Sequence, residues 1–351
     1  MSGDCIRIAV VGLGWVAQAR HIPSIKKNPG LKLVGVVDRS RGRAERVARQ
    51  HGVPRHAEAA SLTAVPWLAE ADAISIATAP MAHHDLVSEA LARGLHVITE
   101  KPFAMSVAEG EAMCAAAAAR ARHLAVVHNF QFARSMRCLL GDLERGRLGR
   151  VRGVRAVQLG NPSRRLPAWY EELPLGLFYD ESPHLLYLLR RVAGPLTLLK
   201  AVSVGGSDGR RTPAQIDAWF AAPGVDYPVS LSCNFECALS EWHVMVHGEQ
   251  AVGIVDIFRD IYLRVPNDRD HGTFEVLRTS ATITAQHWWQ HLSSGLPHLA
   301  GRLMYGNDEV FARFGDAIRG NGQRLAPIAA ESAQATLSVQ HSIIDRCERI
   351  G

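Results

Sequence analysis

Lysine is scarce in this sequence. Of 39 lysine and arginine side chains in 351 residues, only Lys26, Lys27, Lys32, Lys101 and Lys200 are lysines. Long apolar runs are missing too: none approaches the ~18 residues of a membrane span, and LLYLL is stopped by Arg190 and Arg191. The start, MSGDCIRIAVVG, has an acid before its apolar run and no small-residue cleavage site, so it reads as a first strand and not as a signal peptide. Together these features lead to the expectation of a cytoplasmic chain. The six cysteines form no CxxC pair and show no zinc spacing, and Cys233 and Cys237 read as small buried side chains of one strand. The net charge of +5 is spread along the whole chain. With neither a basic base-reading helix nor an aromatic RNA-binding strand, no nucleic-acid partner and no membrane partner are expected.

What is present is an ordinary globular composition, 47% hydrophobic and 21% charged, long enough for two domains. The first hundred residues alternate. IRIAVVG, LKLVGVVD, ADAISIATAP, LHVITE and LAVVHNF are apolar runs suited to strands buried on both faces, with helical segments between them. The expectation is a doubly wound parallel sheet of the Rossmann type over 1–127. After about residue 128 the rhythm changes to longer alternating strands, including VRGVRAVQLG, YPVSLSCNFEC and EWHVMVHGEQAVGIVDIF. These predict a second, α+β domain over 128–351 with a mostly antiparallel open sheet. Its last helix, 331–349, carries Ala333, Leu337, Ile344 and Cys347 on one stripe and should pack back on the body. An exposed sheet face suggests a homodimer or homotetramer.

Two stretches carry chemistry. In VVGLGWVA, Gly12 permits a tight turn, Gly14 a close backbone approach, and Ala17 close packing of helix on strand. The helix that follows offers free N–H groups to a pyrophosphate. With Leu13, Trp15 and Val16 filling the turn and Asp38 ending the second strand, this is a dinucleotide site. Asp38 suits the ribose hydroxyls of NAD, while Arg39 and Arg41 beside it leave NADP open. The second stretch is HVITEKPFAMS. It sets Lys101 at the C-terminal end of a strand, on the rim where ligands of open parallel sheets bind; Thr78, Pro80 and His83 follow the neighbouring strand on the same rim. Unlike guanidinium, an ammonium can give up its proton when its surroundings lower its pKa.

The order GLG, ATAPMAHH, EKPFAMS, HNFQF and then GLFYDESPHLLY resembles the glucose–fructose oxidoreductase/inositol dehydrogenase/MocA (Gfo/Idh/MocA) family over essentially the full length. The resemblance implies hydride transfer between a nicotinamide and a secondary alcohol or ketone carbon of a sugar, an amino or nucleotide-linked sugar, or a cyclitol. It implies Lys101, Asp180 and His184 as the catalytic group: His184 as base, Lys101 on the reacting oxygen, and Asp180 orienting the imidazole or holding a second hydroxyl. Glu100 would orient Lys101, and in this family the Lys–Pro bond is often cis. Departures fall on substrate positions. Ser182 replaces a glycine, Gln131 an arginine, and Tyr187 an aspartate. The substrate is therefore not restricted to a plain hexose or inositol, and Gln131, Tyr187, Arg164, Arg165, Trp169 and Tyr170 are the candidate contacts. The arginine pair would meet an anionic substrate group. A C=C or C=N reductase of the biliverdin or dihydrodiol type, or a catalytically silent NAD-binding sensor, are the competing readings. His287 and His291, and His243 and His247, have i,i+4 spacing without a third ligand, so no metal is expected.

Overall fold

The structure is a computed structural model that describes residues 5–164, 166–167, 169–301 and 303–350. Its contacts divide the chain into two units, Met1–Asn129 with Asn307–Ser338, and Phe130–Gly306 with Val339–Gly351. The first boundary falls two residues beyond the expected 127. Residues 307–338 are a correction: the sequence reading gave them to the second domain, and they belong to the first.

In the first unit, strands β1 (Ile6–Val11), β2 (Leu31–Asp38), β3 (His56–Glu58), β4 (Ala73–Ile76), β5 (His96–Thr99) and β6 (Leu124–Val126) form one sheet in the order β3-β2-β1-β4-β5-β6. Every pairing in it is parallel. Helices α1 (Ile22–Lys27), α2 (Arg43–His51), α3 (His83–Ala92) and α4 (Val107–Ala119) make the crossovers. The apolar runs are buried on both faces because a crossover helix covers each. The strand order reverses between β1 and β4, which opens a crevice at the C-terminal strand ends. The returning segment is held by α8 (Asn307–Ile318). Its Asp308 accepts from Ser24 Oγ at 2.8 Å, and Phe311 packs edge-on to the His21 ring. None of these partners is near in sequence, which is why strand and helix patterning misplaced 307–338.

The second unit has an eight-stranded sheet built from β7 (Val151–Leu159), β8 (Thr197–Val204), β9 (Gln215–Ala221), β10 (Val229–Asn234), β11 (Glu241–Gly248), β12 (Ala251–Asp256), β13 (Ile261–Pro266) and β14 (Glu348–Ile350). The order is β13-β12-β11-β7-β10-β9-β8-β14, antiparallel except for β10/β7 and β14/β8. Burial alternates along β10 and β11, as expected of a sheet with one covered face. The core behind that face joins Met136 and Leu139 of α5 (Arg134–Glu144) with Phe178, Leu185 and Leu188 of α6 (Leu177–Ala193). Helix α9 (Ala330–Arg346) runs from the first unit into the second, where Val339 and Ile343 enter this core.

The edge of β13 is closed by α7 (Thr273–Leu299), a helix the alternating strand pattern did not announce. Gln286 Oε1 accepts from the Arg264 N–H at 2.9 Å, and its Nε2 donates to the Arg264 carbonyl at 3.0 Å. One helical turn on, Gln290 repeats this on Tyr262, accepting from its N–H at 2.8 Å and donating to its carbonyl. Two glutamines one turn apart match the repeat of alternate strand residues, so they satisfy an edge that would otherwise invite another strand. Among the described residues no helix is long and apolar enough to cross a membrane.

Candidate active site

Gly12 sits at φ +81°, and a Cβ there would lie 2.7 Å from Thr78 Cγ2 and 2.8 Å from the Ala77 carbonyl. Only glycine closes this turn. At Gly14 no atom lies within 4 Å of where a Cβ would stand, so the backbone is open to a bulky ligand. Leu13 is buried and Trp15 exposed, with the Arg20 guanidinium 5.0 Å from the Trp15 ring; Val16, half-buried, leads into the helical turn that begins at Ala17. Asp38 is buried at the end of β2. Its Oδ2 accepts from the Leu13 N–H and its Oδ1 from the Ser40 N–H, both at 2.7 Å, so one carboxylate ties the glycine turn to the second strand. Arg43 Nη1 approaches Oδ2 at 3.5 Å, and Arg39 is exposed. Thr78 Oγ1, next to Gly12, is buried without a hydrogen-bond partner. An open glycine approach, an acid at the second strand end and an orphaned hydroxyl fit a dinucleotide. The Gly12–Val16 turn, Asp38 and Thr78 would hold it.

On the same rim, Glu100 and Lys101 follow β5, and the Lys101–Pro102 peptide is cis. Glu100 is buried, with His21 Nε2 at 2.8 Å from Oε1 and the Lys101 main-chain N–H donating to Oε2 at 3.1 Å. His21 Nδ1 in turn meets Ser75 Oγ at 2.8 Å. Burial alone would raise the Glu100 carboxyl, but the His21 hydrogen bond, with the charges of His21 and Lys101, outweighs it and holds the group below the usual carboxylate range. An anchored anion thus fixes the backbone from which the Lys101 side chain projects. His83 lies between the Pro102 carbonyl, 2.8 Å from Nδ1, and the Thr78 carbonyl, 3.2 Å from Nε2. Burial lowers its pKa, only partly offset by those carbonyls, and the ring links the turns after β4 and β5. Pro80 is buried at the start of the short turn leading into α3.

In the second unit, α6 starts at Gly176, φ +54°, and buries Asp180, Glu181, Ser182 and His184 together. Asp180 and His184 are one turn apart and share a face. The Tyr187 hydroxyl lies 3.0 Å from His184 Nδ1 and accepts from the Phe130 N–H at 3.0 Å. Phe130 and Trp242 flank the imidazole, with centroids at 4.8 and 5.3 Å. The Tyr187 hydroxyl and these aromatic neighbours thus help to hold the ring. Trp242 Nε1 is buried without a hydrogen-bond partner, an orphaned donor on a ring beside His184 that no sequence motif announced.

Residues 6–128 match the family model described as an oxidoreductase family with an NAD-binding Rossmann fold. Over that segment the chain is similar to the Gfo/Idh/MocA family. A putative UDP-kanosamine synthase oxidoreductase subunit from Amycolatopsis mediterranei is 28% identical over 227 residues, 61% of this chain and 59% of that protein. The NAD⁺-dependent scyllo-inositol 2-dehydrogenase of Bacillus subtilis is 29% identical over 197 residues, 54% of each. The chain thus spans between half and two thirds of the length of these two relatives. The solved structure of a UDP-N-acetylglucosamine 3-dehydrogenase from Acidithiobacillus ferrooxidans superposes with a TM-score of 0.73 at 18% identity, covering 99% of both chains, and so shares the two-part fold.

The first unit brings together Gly12, Gly14, Asp38, Thr78, Pro80, His83, Glu100 and Lys101 on one sheet rim. The second brings Asp180, His184 and Tyr187 together on α6. Tyr187, expected as a substrate contact, has its hydroxyl on His184. Arg164, expected to meet an anionic substrate group, donates to Glu181 at 2.6–2.7 Å, leaving its buried Nε without a partner. Gln158 Nε2 reaches the same carboxylate, so the Arg164 charge is already matched inside the protein. Arg165 lies outside the described residues. Trp169 and Tyr170 are half-buried beside Glu171, whose carboxylate binds the Arg211 N–H and the Thr212 hydroxyl, and Gln131 is buried next to Phe130. His21, Ser75, Glu181 and Trp242 were invisible as functional residues in the sequence, because the partners that give them meaning are remote. Among the described residues no cluster of histidine, cysteine and carboxylates is built for a metal.

Proposed function

We propose that the protein is an NAD(P)-dependent oxidoreductase that interconverts a secondary alcohol and a ketone on a sugar, with a nucleotide-linked or amino sugar as the favoured class. The observation that carries this reading is the anchored Glu100–Lys101 turn on the rim that also presents Gly14, Thr78 and Asp38. The similarity to a putative UDP-kanosamine synthase oxidoreductase subunit supports the substrate class.

When bound, the nicotinamide supplies or accepts the hydride. The chain's own residues do the rest. Removing hydride from a CH–OH carbon requires that the hydroxyl proton leave, and a side chain whose pKa lies near working pH does this best. In this reading His184 takes that proton at one ring nitrogen while Tyr187 keeps the ring oriented. Lys101 hydrogen-bonds the same oxygen and stabilises negative charge on it, and Asp180 holds a neighbouring hydroxyl. Asp38 accepts from the adenosine ribose, and its negative charge disfavours a 2′-phosphate, whereas Arg39, Arg41 and Arg43 favour one. NAD is the expected cofactor.

Absorbance at 340 nm over a panel of UDP- and dTDP-sugars, free amino sugars and inositols, with NAD⁺ and NADP⁺, tests the reading. Lys101→Ala should lower kcat by on the order of 10²-fold or more, with NAD⁺ affinity by calorimetry unchanged. Undiminished turnover in that variant would end the assignment. Arg164→Ala, compared on phosphorylated and neutral sugars, separates a substrate contact, which raises KM for the anionic ones alone, from a structural tie to Glu181, which lowers stability alike with either.

A further inference from the structure

Helix α7 runs for 27 residues, and Ser294 is its only buried residue. At 100° per residue, Gln286 and Gln290 face β13. On the opposite side Phe274, Leu277, Ala281, Ala285, Trp288, Leu292, Leu296 and Leu299 fall within an arc of about 100°. All of them are exposed, Phe274 at 73%, Trp288 at 63%, Leu296 at 75% and Leu299 at 86%. Trp289, 75% exposed, borders the stripe. From Thr279 to Gly301 the sequence holds no lysine, arginine, aspartate or glutamate.

Three features say what covers this face. With large aromatics offering ~150–250 Å² each when open, the stripe exposes on the order of 1,000 Å², against about 800 Å² per partner in a stable protein interface. Depletion of charge with two tryptophans is the composition of an interface centre. A helix lying on a lipid surface would instead flank its apolar side with lysine and arginine, and the exposed stretch has none beyond Arg278.

The spacing goes further. Phe274 and Leu299, Leu277 and Leu296, Ala281 and Leu292, and Ala285 and Trp288 are four pairs with one shared midpoint, between Gln286 and His287. Two copies of α7 laid antiparallel about that point set each small alanine against a large side chain of the other copy. No charge meets a like charge. Such a surface is complementary to itself, which a two-fold contact requires.

We propose that α7 pairs antiparallel with α7 of a second copy of this chain, Ala281 facing the partner's Leu292 and Ala285 the partner's Trp288. The full-length protein, its Leu292→Glu variant and the Ala281→Lys/Leu292→Glu double variant are compared by sedimentation velocity across concentration, with circular dichroism to check folding. Wild type should associate. Leu292→Glu, an exposed position, should fall to half the assembly size with an unchanged spectrum. The double variant, which sets a lysine against the partner's glutamate twice, should recover at least tenfold of the lost affinity. A second arm measures wild-type flotation with vesicles of phosphatidylcholine and phosphatidylserine, expected to be nil. A monomeric wild type, a Leu292→Glu protein of unchanged size, a double variant without recovery, or vesicle binding abolished by Leu292→Glu would each overturn the pairing.

Discussion

The second unit contains two long helices that invert each other. Helix α6 buries most of its 17 residues, and the buried set includes Asp180, Glu181, Ser182 and His184. Helix α7 buries one residue of 27 and exposes two tryptophans, a phenylalanine and four leucines. Polar groups buried without loss of stability need partners, and those of α6 have them: Tyr187 of the same helix for His184, and Arg164 and Gln158 from outside it for Glu181. Apolar groups left in water need a cover that the chain itself does not provide. The same unit thus buries polar groups on one helix, where the proposed site lies, and leaves apolar groups open on another, so neither residue type alone indicates which role a helix has.

Substitutions can break or sharpen that contrast. The largest effect is expected at His184→Asn, which removes the proposed proton acceptor while keeping a polar group of similar size. kcat for the best sugar substrate should fall by about 10²–10⁴-fold, with the melting temperature little changed. Leu188→Ala, on the fully buried side of α6, should cost about 2–5 kcal/mol in urea unfolding through the cavity it leaves. Tyr187→Phe keeps the ring but not its hydroxyl. It should lower kcat by roughly fivefold, about 1 kcal/mol for a lost hydrogen bond, with KM unchanged; an equal rise in KM would return Tyr187 to the role of substrate contact. The smallest effect belongs to α7. Leu296→Ser, unfolded at the lowest workable protein concentration, should change stability by no more than ~0.5 kcal/mol. A cost like that of Leu188→Ala would mean that α7 is core and that the contrast fails.

Much of the candidate site's placement was legible in the sequence. Gly12, Gly14, Asp38 and Lys101 stand at strand ends, and strand ends follow from local apolar runs and the breaks after them. Asp180 and His184 are one helical turn apart, so their common face needed only helical spacing. Other parts were out of reach. Glu100 is held by His21, and His21 by Ser75, across 79 and 54 residues. Arg164 looked available to a substrate until Glu181 was found against it. Residues 307–338 joined the first unit through Ser24, Asp308 and Phe311, contacts that no periodicity encodes. The stripe on α7 was present in the sequence, but apolar helical spacing normally signals a buried face, and only exposure revealed the opposite.

The sequence by itself determined the kinds of elements, the glycine turn and the acid and lysine at their strand ends, because hydrophobic period and backbone freedom act over a few residues. Tertiary structure decided which charges are matched, how the imidazole is held and which apolar face stays open. Those properties depend on groups brought together by closure of long loops, and the energy of a buried charge or an exposed tryptophan is set by its neighbours in space.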